Sequence, residues 1–125
     1  MKTIAMDVCN GLMAASIRDL MQRVTNLTVC LIQGRDVVSE CMAVSADIVL
    51  LEVAFPVGFT VEERIKQASL LRQQMPACRI VFLCDENSTP ELARKVAVAK
   101  KDGLIDDFLF SSVGERYLVA ILLSI

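Results

Sequence analysis

Asp47-Ile-Val-Leu-Leu-Glu-Val-Ala-Phe-Pro-Val-Gly58 decides how this chain reads. Its centre is a short apolar run rich in β-branched residues and leucine, closed by one carboxylate, Glu52, and then by a Pro and a Gly that turn the backbone. A run of this length between turn signals suits a parallel strand covered on both faces, although a buried helix segment has the same periodicity. Read as a strand, it carries Glu52 to the carboxyl edge of a sheet. Open α/β sheets place their ligand sites at that edge, near the reversal of strand order.

Working outward, Thr3 to Val8 reads as a first strand and Asn10 as the cap of a helix in which Ile17, Leu20, Met21 and Val24 form one buried stripe. Asn26 marks a turn, Leu27 to Ile32 a second strand ended by Gly34, and Asp36 to Ser45 a short amphipathic segment with Val38, Cys41 and Met42 on one side. Beyond the central strand, Thr60-Val-Glu-Glu63 is a capping-box sequence that opens a helix running to Met75. Arg79 to Cys84 is a fourth strand, and Asp85 to Ser88 a polar loop. Thr89 and Pro90 begin a helix that ends near Lys100 and Lys101, where positive charge complements the helix dipole. Leu104 to Phe110 is the fifth strand, Ser112 to Glu115 a second capping box, and Tyr117 to Ile125 a last helix. Five strands alternating with five helices predict a doubly wound α/β domain spanning residues 1–125, its sheet parallel and covered on both faces.

Composition excludes several classes. The 125 residues are 54% apolar with a formal charge of −2, which leaves no basic surface for nucleic acid. No apolar run approaches the ~18 residues of a membrane span, and residues 1–8 do not have the regions of a signal peptide, so a cytoplasmic location is expected. With no histidine, imidazole triads are absent. The five cysteines, at 9, 30, 41, 78 and 84, form no Cys-x-x-Cys pair and read as reduced core thiols. Cys9 and Cys84, both near strand ends, are the candidates for a thiol redox role.

Asp47-Ile-Val-Leu-Leu-Glu52 with Pro56 and Gly58, together with Gly103-Leu-Ile-Asp-Asp-Phe-Leu-Phe-Ser-Ser-Val113, resembles the receiver domain of two-component response regulators over essentially the whole chain. The resemblance implies the strand order 2-1-3-4-5. It also implies a pocket in which Glu52 stands at the phosphoacceptor position, Asp7-Val8 at the acidic pair that holds a divalent cation, Cys84 at a Thr or Ser, Ser111 at a Lys, and Phe108 at the switch aromatic. Each of the first four departs from the family's chemistry. The extra methylene of Glu52 misplaces its carboxylate for in-line attack, and one carboxylate lost to Val8 weakens a magnesium site, so no Mg2+ is expected. A thiol is a poor donor, and Ser111 brings no positive charge. The expected protein is thus a non-enzymatic pseudo-receiver in which Glu52 is either a phosphoaspartate mimic or a plain solvated carboxylate.

Its output would pass through dimerisation or through contact with a partner or output domain, in the family often DNA-binding, as for the N-terminal domain of a longer transcription regulator. The last helix, apolar on every side, must be buried on every side, so Leu118, Val119, Leu122 or their neighbours are expected to pack against a second copy or another domain. Two alternatives compete with this reading. One is a phosphorylated or cation-sensing receiver using Asp7, Glu52 and Asp85 as weak metal candidates; the other is a small flavodoxin-like binding protein, although no Gly-rich phosphate loop is present.

Overall fold

All six residues of the stretch Ile48–Val53 are buried in a strand, as a run without a polar face requires. The computed structural model describes residues 2–24, 27–32, 36–85 and 89–125. Strands β1 (Thr3–Asp7), β2 (Thr28–Leu31), β3 (Ile48–Val53), β4 (Arg79–Cys84) and β5 (Asp107–Phe110) alternate with helices α1 (Gly11–Val24), α2 (Val37–Ala43), α3 (Val61–Gln74), α4 (Pro90–Lys101) and α5 (Glu115–Ser124). The strands form one sheet in the order β2-β1-β3-β4-β5, and every neighbouring pair is parallel. The turn expected at Asn26, the stop at Gly34, most of the loop reaching Ser88 and the side chains of Val24 and Glu115 lie outside the described residues. No described helix is long and apolar enough to cross a membrane.

The pleat divides the core into two layers. Val49, Leu51 and Val53 of β3 join Ile80, Phe82 and Cys84 of β4 beneath α2, α3 and α4. Ile48 and Leu50 join Val81 and Leu83 beneath α1 and α5. Local chemistry sets where the helices begin. Asn10 Oδ1 accepts the Leu12 and Met13 N–H groups at 3.0 and 3.2 Å, while Thr60 and Thr89 cap α3 and α4. In α3 the Glu63 carboxylate reaches back to the Gly58 N–H at 2.8 Å and also accepts the Thr60 hydroxyl at 2.8 Å.

Four expectations need correction. Strand β5 begins at Asp107 and not at Leu104, because the Leu104 N–H bonds back to the Ala99 carbonyl at the end of α4. In the amphipathic segment Val37 and Cys41 are buried, whereas Met42 is 46% exposed. Helix α5 starts after Gly114, whose φ of 87° only glycine adopts freely; residues 111–113 form a 3₁₀ turn, so Ser112 is not its cap. Finally, α5 is not buried on every side. Leu118, Val119 and Leu122 are 3%, 3% and 0% exposed within this chain, packed with Ile17 and Met21 of α1. They are core residues and leave no side chain for a second copy; the large apolar side chains exposed on α5, among the described residues, are Tyr117 and Leu123.

Asp106, just before β5, closes the amino edge of the sheet. Its carboxylate accepts the Ile80 N–H at 2.7 Å and pairs with Arg72 at 2.6 Å and Arg79 at 3.3 Å. Burial pushes the Asp106 carboxyl up, but the Ile80 N–H and the Arg72 guanidinium outweigh it and hold the group below the ordinary carboxylate value. A depressed carboxyl contributes stability that is complete above the unfolded value of about 3.9 and is lost as pH falls through the folded one. Asp106→Asn is therefore expected to cost about 2 kcal/mol at pH 7, and the gap to the parent should close in strong acid. Urea midpoints measured across that range check this, and a gap unchanged in acid would contradict it.

Candidate functional site

The carboxyl edge of the sheet gathers the ends of β1, β3, β4 and β5, but the pleat sends their side chains in different directions. Asp7 pairs in register with Leu51, and both belong to the set of positions facing α3. Glu52 has the parity of Ile48 and Leu50, which face α1 and α5. The two acids that the sequence placed in one pocket therefore have separate partners on opposite faces.

Glu52 is 7% exposed, and its Oε1 accepts the Cys9 N–H at 2.6 Å, immediately before the α1 cap. A carboxylate here satisfies a backbone donor and lies near the positive end of the α1 dipole. It is a buried structural acceptor, which corrects the picture of a plainly solvated strand end. A cavity of about 480 Å³ opens above it, lined by Cys9, Asn10, Met13, Phe55, Asp85 and Ser111 among others. Ser111 lines the same cavity as Glu52.

Asp7 faces the other way and meets Arg64, which sequence reading missed. Arg64 is 0% exposed. Its Nη1 donates to Asp7 Oδ2 at 3.0 Å and to Gln67 Oε1 at 2.9 Å, its Nη2 to the Asp7 carbonyl at 3.2 Å and its Nε to the Glu52 carbonyl at 2.7 Å. The guanidinium also lies over the Phe59 ring, 4.9 Å from its centroid, a favourable placement for a cation. Burial lowers the Arg64 pKa, and the Asp7 charge and hydrogen bond push back against it; an arginine so paired stays protonated at neutral pH. A signal for this residue was present. The buried positions of α3 are Val61, Arg64, Ala68 and Leu71, so the arginine sits on the apolar stripe itself. A charge at such a position needs a buried partner.

The remaining candidates are dispersed. Val8 lines, with Asp7, Phe59 and Gln67, a second cavity of about 680 Å³. Cys84 is 0% exposed in the layer beneath α3 and α4, so it belongs to the core and does not stand at the rim. Burial pushes its thiol up to about 12, which withholds the thiolate that redox chemistry with Cys9 would need. Phe108 is half-buried, edge-on to Phe110 at 6.2 Å and 5.7 Å from the Lys100 ammonium. Lys100 pairs with Asp107, and Lys95 with Glu62 and Glu91, so neither is committed to Glu52. Glu52 and Asp85 line one cavity and Asp7 another, and among the described residues no group of three His, Cys, Asp or Glu side chains is placed to hold a metal ion.

No protein-family model matches the sequence, and no curated protein matches it. Solved structures do match. The N-terminal domain of the nisin resistance regulator NsrR, a lantibiotic response regulator, superposes with a TM-score of 0.80 at 20% identity, covering 100% of this chain and 97% of that one. A DNA-binding response regulator of the LuxR family from Staphylococcus aureus gives 0.78 at 12% identity, covering 99% and 98%. The BeF3-activated DrrB receiver domain gives 0.67 at 14% identity, covering 98% and 94%. At such identities the likeness is one of fold, and the chain has the fold of response-regulator receiver domains.

Proposed function

We propose that this chain is a cytoplasmic signalling module of the receiver type that works without phosphorylation at Glu52, and that it is not an enzyme. One observation carries the reading: the Glu52 carboxylate is 7% exposed and accepts the Cys9 N–H at 2.6 Å. In-line attack on a phosphoryl donor needs an oxygen free at the rim and a cation beside it. Here Oε1 is bonded to the Cys9 N–H, and the place expected for a lysine is Ser111. A carboxylate that is 7% exposed and lines a cavity offers little anionic surface to a protein partner, which argues against its acting as a phosphoaspartate mimic. Output would then pass through surface contact with a partner, an output domain of a transcription regulator or a second copy, and for the last the side chains available on α5 are Tyr117 and Leu123, 54% and 46% exposed.

Incubation with magnesium and either beryllofluoride or acetyl phosphate tests this, with the DrrB receiver domain as positive control. No mass increment and no amide shift at Cys9, Glu52 or Val53 is expected. A stoichiometric adduct on Glu52 would defeat the proposal. Sedimentation at rising concentration tests self-association in the same samples.

A further inference from the structure

The resemblance to receiver domains implies a divalent cation at the acidic end of β1, and the residues present do not fit one. The second acid of the pair is Val8, Glu52 is bonded to the Cys9 N–H, and Asp7 Oδ2 already accepts from Arg64 at 3.0 Å. The acceptors around the guanidinium are one carboxylate, two main-chain carbonyls and one amide oxygen. Hard cations prefer an all-oxygen set of this kind. It is filled instead by a side chain of the chain itself.

We infer that Arg64 is the resident cation of this edge, a covalently tethered replacement for a divalent ion, so that the junction of β1, β3 and α3 holds the same geometry at any metal concentration. Four points support the assignment. The guanidinium is fully buried, so its charge must be answered from within the protein, and Asp7, 17% exposed, is the carboxylate that answers it. Its planar fork reaches both strands at once, which an ammonium on a flexible stem does less well. Phe59, from the loop before α3, covers one face. Gln67, one turn further along α3, accepts the remaining Nη1 hydrogen and fixes the plane. A bound metal exchanges with solvent and responds to its concentration; a tethered guanidinium does neither.

The inference rests on the phosphorylation-independent reading for its signalling meaning, and its test is separate. Mn2+ serves as the probe, read as paramagnetic broadening of amide resonances in the intact chain. At millimolar Mn2+ the parent should show no selective broadening at Val8, Cys9 or Val53. Arg64→Met, which leaves the Asp7 carboxylate and the carbonyls without a cation, should broaden at those amides, and its thermal midpoint should rise by several degrees with Mn2+. Selective broadening in the parent would overturn the inference, and so would a folded Arg64→Met chain that ignores Mn2+. If that variant does not fold, the parent alone decides by the same criterion. A beryllofluoride adduct on Glu52 without Mn2+ broadening would sink only the phosphorylation-independent reading.

Discussion

Arg64→Met is expected to lower the free energy of unfolding by about 3–5 kcal/mol, the usual cost of removing one partner from a buried ion pair. Methionine nearly matches the length of the arginine stem, so little apolar contact is lost and the penalty is electrostatic. The Glu52 carbonyl, the Asp7 carbonyl and Gln67 Oε1 lose their donor together, and Asp7 keeps a charge with no partner. Because the Asp7 side chain is 17% exposed and borders a cavity of about 680 Å³, water can reach it, which places the cost toward the lower end of the range. Even so, the loss is a large share of the ~5–15 kcal/mol that holds an ordinary domain together. Urea midpoints measure it, with Asp7→Asn/Arg64→Met closing the cycle. If charge pairing dominates, the double variant should be more stable than the sum of the two single losses predicts. A loss below about 1 kcal/mol would mean that the clasp holds nothing. By contrast, Lys95→Met, which breaks only pairs at the surface, should leave the midpoint where it is.

The same residue explains which parts of the site could be read from the sequence and which could not. The central strand, the cap at Asn10, the Thr60 capping box and the Thr89-Pro90 start follow from local chemistry, because each depends on neighbours within a few positions. Strand order came through the resemblance. What could not be read was the direction of side chains at the carboxyl edge, which depends on register between strands far apart in sequence. Asp7 opposite Leu51, and Glu52 opposite Leu83, set which face each acid takes. Placing both in one pocket ignored the pleat. Cys84 ends β4 and is a core thiol, as read; the pleat directs its side chain with Ile80 and Phe82. Arg64 was passed over because Glu62, Glu63 and Lys66 around it suggest a solvated first turn. Only the spacing from Val61 to Ala68 and Leu71 reveals an inward position. At β5 the strand-like run from Leu104 was misleading because the Leu104 and Ile105 N–H groups turn back to the Ala99 carbonyl and the Asp106 carboxylate takes the Ile80 N–H, so the ladder registers only from Asp107, three residues later.

Leu122→Ala is expected to cost about 2–5 kcal/mol, as truncation of a fully buried leucine does when the surrounding layer closes only in part. The direction of this effect separates two readings of α5. If Leu122 faced a second copy, its truncation would weaken association and leave the folded monomer nearly as stable as before. Its burial to 0% beside Leu118, Val119, Ile17 and Met21 predicts the reverse: a lower urea midpoint, with the concentration dependence of sedimentation unchanged. Leu123→Ser provides the complement. That side chain is 46% exposed and borders a shallow cavity of about 170 Å³ with Leu20, Arg116 and Ala120, so its replacement should alter any self-association while changing stability little. Were Leu122→Ala to dissociate a dimer at constant monomer stability, α5 would have to pack differently from the arrangement described, and the layer formed with α1 would be wrong. The apolar excess of α5 thus has two destinations: one stripe is consumed by the sheet and α1, and Tyr117 and Leu123 beyond it are left for a partner.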